Sequence, residues 1–78
     1  MREKQERLIV TFHTTAAAMA METHCRRGGI EGKLIPVPRS LTADCGIAWR
    51  SEPEMRAAVE AVIKENALEA EGIYTVFL

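Results

Sequence analysis

Apolar and polar residues alternate along the 78-residue chain with two different periods, and the changes of period divide it into elements. Leu8-Ile9-Val10-Thr11-Phe12 is a run of β-branched and aromatic residues with apolar positions on both faces, which predicts a central strand. Thr14 or Thr15 can cap the helix that follows, running to about Arg27. Its apolar stripe is Ala18, Met21, Cys25 and Gly28, with Met19 flanking it and Glu22 and Arg26 paired on the next stripe. Gly28-Gly29 predicts a left-handed stop. Lys33 to Val37 is a second strand, and Pro36, lacking a donor, places it at an edge or ends it early. After the polar connection Pro38 to Asp44, Gly46 to Arg50 reads as a third strand. Ser51-x-x-Glu54 has the form of a capping box, with Pro53 in the first turn of a helix reaching about Asn66. That helix has an apolar face of Met55, Ala58, Val59, Val62 and Ile63, and Arg56–Glu60 and Glu60–Lys64 pair on its solvated side. Ile73 to Phe77 closes the chain as a fourth strand.

The order βαββαβ, with no repeat, linker or low-complexity run, predicts one α+β domain over residues 1–78, residues 1–6 forming a frayed start. Right-handed crossovers turn that order into the ferredoxin-like split βαβ arrangement, a four-stranded antiparallel sheet with both helices on one face. The other face is left open. Ile9, Thr11, Leu34, Tyr74 and Val76 are the expected open-face set, and a homodimer covering it is one possible outcome.

Composition narrows the function classes. Ten Lys and Arg against eleven Asp and Glu give a net charge of -1, so the basic excess that drives binding to duplex nucleic acid is missing. No apolar run reaches the 18 residues of a membrane span. Met1 to Met21 has the outline of a secretory signal, yet Glu3, Glu6 and His13 interrupt it and Met21-Glu22-Thr23-His24 offers no small-residue cleavage site. The expected location is the cytoplasm, with Cys25 and Cys45 as reduced thiols. Two cysteines are too few for a disulfide framework and lack the spacing of a zinc site, and nothing in the chain calls for a cofactor or a metal.

Cys45 is the position best suited to chemistry. It stands in Asp44-Cys45-Gly46, where a polar loop meets a strand. A reactive thiol needs partial exposure and nearby positive charge, and Arg39 and Arg50 flank it six residues before and five after. Asp44 opposes activation. The competing reading is a small apolar group filling space at a strand start. The string Cys45-x4-Arg50 is one residue short of a tyrosine-phosphatase loop, and strand parity sends Cys45 and Arg50 to opposite faces. Cys25 belongs to the buried helix stripe, where it is a core residue, although a redox pair with Cys45 is not excluded by sequence. His13 ends the first strand just before a helix N-terminus, as a proton donor, an anion ligand or a group bonded to nearby backbone. His24 is a solvated or half-buried helix residue, and Trp49 shares the face of Ile47 as packing.

Four strings taken in order carry a resemblance: Thr11-Phe12-His13-Thr14-Thr15, Ala18 to Glu22, Leu34-Ile35-Pro36-Val37-Pro38-Arg39 and Cys45-Gly46-Ile47-Ala48-Trp49-Arg50, closed by Glu71-Gly72-Ile73-Tyr74. From about Leu8 to Tyr74 the chain resembles the small bacterial family described as "putative Se/S carrier protein-like". That resemblance implies a cysteine that receives sulfur or selenium as a persulfide or selenopersulfide and hands it on. It places this role on Cys45, with Gly46 beside it, Arg39 closing the Pro-x-Pro-Arg motif and Arg50 closing the Cys-Gly strand. Ala16, Ala17 and Asp44 depart from the family's pattern. The implied partners are a donor protein such as a cysteine desulfurase and an acceptor protein, and the implied role is that of a carrier rather than a turnover enzyme. The alternative from a different class is a non-catalytic interaction or small-ligand-sensing module, since the fold serves both.

Overall fold

The computed structural model describes residues 4–41 and 45–78. Its elements are β1 (Glu6–Phe12), α1 (Thr15–Arg27), β2 (Lys33–Pro36), β3 (Ile47–Ser51), a 3-10 turn (Pro53–Met55), α2 (Arg56–Glu65) and β4 (Ala70–Phe77). The strands form one antiparallel sheet in the order β2-β3-β1-β4, the split βαββαβ arrangement expected from the sequence.

Register assigns the faces. Leu8, Val10 and Phe12 of β1, Trp49 of β3, Ala18, Met21 and Cys25 of α1 and Val59 of α2 make the core beneath the helices, and all are buried. Leu34, Ile47 and Ile73 pack against that core from β2, β3 and β4. Leu34 therefore faces the helices, and Ile35 takes the open-face place expected of it, because Leu34 pairs with Trp49 and Ile35 with Ala48. On the open face Ile9 and Thr11 of β1 and Ala48 of β3 are nonetheless fully buried. Small side chains account for this in part. The ring of Tyr74 folds across Gly72, where an added Cβ would meet it at 2.5 Å, and Thr11 Oγ1 donates to the Gly72 carbonyl at 3.5 Å.

Thr14 caps α1, its hydroxyl accepting from the Ala17 amide at 3.1 Å, and the helix ends where Gly28 and Ile30 amides bond back to His24 and Cys25. Gly29, at φ +73, supplies the left-handed turn, while Gly28 stays at φ -85. Residues 30–32 then strap down onto β3. Ser51 donates to the Glu31 carbonyl at 2.6 Å, and a Cβ on Gly32 would meet the Arg50 carbonyl and the Trp49 ring at 2.4 Å.

Three expectations need correction. The fraying expected over residues 1–6 does not extend to Gln5 and Glu6, because Gln5 exchanges two backbone hydrogen bonds with Leu78 and Glu6 already belongs to β1, while residues 1–3 lie outside the described residues. The capping box does not form: Ser51 is the last residue of β3 with its hydroxyl committed to Glu31, so the second helix opens as the 3-10 turn at Pro53. Ala58 is exposed, whereas Met55, Val62 and Ile63 pack on the core beside Val59, and Arg56 pairs with Glu60 at 3.2 Å on the solvated side.

Candidate functional site

β1 and β3 are antiparallel neighbours with Thr11 opposite Ala48, so the end of β1 and the start of β3 emerge at the same end of the sheet. His13 and Cys45–Gly46 both lie at that end. The capped N-terminus of α1, following directly on His13, lies at that end too.

Cys45 stands two residues before β3. Strand parity turns it toward the helices with Ile47, and it packs half-buried against the core. Its Sγ–H donates to the Ile47 carbonyl at 3.2 Å. This contact uses the thiol proton, so any nucleophilic role for the sulfur begins with that proton leaving. Gly46 holds φ +75, a conformation that glycine adopts without strain, and among the described residues nothing lies within 4 Å of where its Cβ would be. The positive φ turns the chain sharply where the loop enters β3.

Arg39 lies in the connection between β2 and β3. The Val37 amide bonds to the Gly46 carbonyl at 3.0 Å and closes this connection, and the Leu41 amide bonds to Pro38 at 2.9 Å, forming a turn with Arg39 exposed at its tip. Arg39 and Cys45 thus belong to the one connection that the Val37–Gly46 bond closes. Arg50 does not join them. It points to the open face, opposite Ile9 on one side and Lys33 on the other, and five strand residues put it about 16 Å from Cys45. Neither β3 register contains a bulge that would turn it round. Arg50 instead lines a shallow polar hollow with Glu31, Lys33, Ser51 and Glu52. Asp44 lies outside the described residues.

His13 is exposed, and its Nδ1 sits 3.6 Å from Glu71 Oε2. Glu71 is the residue the sequence reading missed as a participant. Thr11 pairs with Gly72 and Phe12 with Ala70, which leaves Glu71 as the extra residue of a β-bulge. Bulges redirect side chains in this way. The available signal was Glu71-Gly72 interrupting the strand pattern just before Ile73.

The other cysteine differs from Cys45 in burial. Cys25 is fully buried, and burial alone pushes its thiol from 9.0 up to about 11. It sits ten residues along α1 from Thr15, about 15 Å from the helix end near Cys45, too far for a disulfide between the two. Among the described residues no group of three His, Cys, Asp or Glu side chains is placed to hold a metal ion, and no helix is long and apolar enough to cross a membrane. Beside the Cys45 loop, Leu34, Ile35, Pro36, Gly46 and Ile47 line an apolar hollow of about 310 Å³.

No curated protein and no solved structure matches the chain. One protein-family model does, over residues 7–75, nearly the whole sequence and spanning His13, Arg39, Cys45 and Glu71. With that extent of match, the chain belongs to the family described as "Putative Se/S carrier protein-like".

Proposed function

We propose that this protein carries sulfane sulfur or selenium on Cys45 between two partner proteins. The observation that carries the reading is the contrast between its thiols within a family of that description: Cys45 is partly open to solvent, beside a glycine at positive φ, and Cys25 is sealed in the core.

In the loading step Cys45 gives up its proton and its sulfur attacks the terminal sulfur of a persulfide on a donor such as a cysteine desulfurase. A new S–S bond forms at Cys45 while the donor's own S–S bond breaks. The donor cysteine leaves as a thiolate that takes up the proton, so no net oxidation occurs. His13, held by Glu71 at this end of the sheet, is the group suited to move the proton, and Arg39 in the shared loop suits the terminal sulfur anion. The apolar hollow next to Gly46 offers a surface for a partner's apolar side chain. Arg50 has no part in this step because of the face it occupies.

Incubation with a cysteine desulfurase and cysteine tests the reading by mass spectrometry. An adduct of about 32 Da on the Cys45 peptide is expected, lost in Cys45→Ser and kept in Cys25→Ser. The bond from Cys45 Sγ to the Ile47 carbonyl favours a second reading, an interaction module in which this thiol only packs. An unmodified wild-type protein, or equal labelling of both variants, would select that module.

A further inference from the structure

The two edges of the sheet are finished differently, and we propose that the β4 edge pairs with the β4 edge of a second copy of this chain, joining two sheets into one of eight strands. The hydrogen-bond phase is fixed by the reciprocal bonds between Gln5 and Leu78, each 2.9 Å. Counting along the register in steps of two, Val76, Tyr74 and Gly72 bond inward to β1, and the amides and carbonyls of Ile73, Thr75 and Phe77 point outward. The same counting on the opposite edge, from the Val37–Gly46 bond, turns Leu34 and Pro36 outward on β2. β2 is four residues long with a proline in the outward phase, a usual way to block edge pairing. β4 is eight residues long, and Gly72 to Leu78 contains neither a proline nor a charge.

Self-complementarity selects a second copy as the occupant. With a two-fold axis at Thr75, Ile73 falls opposite Phe77 of the other copy, Thr75 opposite Thr75, and Tyr74 opposite Val76. Every outward rung is then used, about six hydrogen bonds form, and no like charges meet. The side chains left uncovered fit this register. Tyr74, Phe77 and Leu78 are 39%, 66% and 39% exposed, and Met19 is the one other large apolar side chain comparably open among the described residues. Phe77 lies on the same face as the buried Leu8, but the helical layer stops short of it. The Ile73 of a second copy covers it. The open face, with Ile9, Thr11 and Ala48 already buried, has less to gain from a partner. This pairing is independent of the carrier reading and compatible with it. The Cys45 loops stay at the far ends of the joined sheet, with β3 and its symmetry mate five strand spacings apart, about 24 Å.

Sedimentation velocity from about 1 to about 500 µM should show a concentration-dependent rise toward twice the 8.7 kDa chain mass. Over the same range, NMR-detected amide exchange at Ile73, Thr75 and Phe77 should slow together, while Gly72, Tyr74 and Val76 are protected throughout. Thr75→Pro removes only an outward donor, and Thr75→Lys sets two cations on the axis; each should give a monomer with the wild-type circular dichroism spectrum, while Thr75→Val keeps the dimer. A wild-type monomer at every concentration overturns the proposal. So does a dimer in which those three amides exchange freely, or one that folded Thr75→Pro or Thr75→Lys leaves intact, as pairing through the open face would. If the variants fail to fold, the exchange pattern of the wild type decides.

Discussion

Cys25 and Cys45 are the same functional group in two regions built on opposite terms. Around Cys25 the chain closes every route to solvent: α1 presents it with Ala18 and Met21 to Leu8, Val10 and Phe12 of β1. Burial alone accounts for the raised pKa of its thiol. Around Cys45 the chain is interrupted. A strand starts, a glycine takes φ +75, a proline-rich turn closes, and a bulge opposite sends a carboxylate toward His13. The difference teaches that whether a thiol here is sealed or partly open follows from where backbone regularity breaks, since the apolar core touches both residues.

Native alkylation sharpens this contrast most. Cys45 should label at least about 1,000-fold faster than Cys25, whose sulfur becomes accessible only through opening of the core. Peptide mapping after timed exposure to iodoacetamide checks this, and comparable rates would break the comparison. The next effect is thermodynamic. Cys25 ionises near 9.0 in the unfolded chain and near 11 in the folded one, so its contribution to stability is complete below about pH 9 and is lost as pH rises toward 11. Urea melts of the wild type and Cys25→Ala should diverge over that window by up to about 3 kcal/mol, the wild type losing more. The smallest effect concerns the open region. His13→Ala should slow persulfide loading about 10-fold and leave the melting curve nearly unchanged, because the ring is exposed and its ion pair with Glu71 is a surface one.

Much of the fold was legible because apolar periodicity and topology rules act on residues in sequence order. α1, the βαββαβ order and the buried stripe holding Cys25 followed from spacing, and the edge position of β2 from Pro36. The capping box failed for a reason that spacing does not contain: the hydroxyl of Ser51 found a carbonyl twenty residues away, at Glu31. Leu34 and Ile35 exchanged their expected faces because a single residue of register decides the face of a whole strand. In the candidate site, parity correctly separated Cys45 from Arg50, but the bulge that makes Glu71 a neighbour of His13 arises from pairing between β1 and β4, sixty residues apart in the chain.

The strap at Gly32 has an optical consequence. Its α-carbon lies against the rim of the chain's one indole, so closely that any larger residue would have to displace either the ring or the Arg50 carbonyl. Trp49 is 2% exposed beneath it and should fluoresce at short wavelength, reddening when the strap lifts. Because it sits four residues from Cys45 with its ring among the core side chains, its emission reports folding in real time while the fate of Cys45 is read separately by mass.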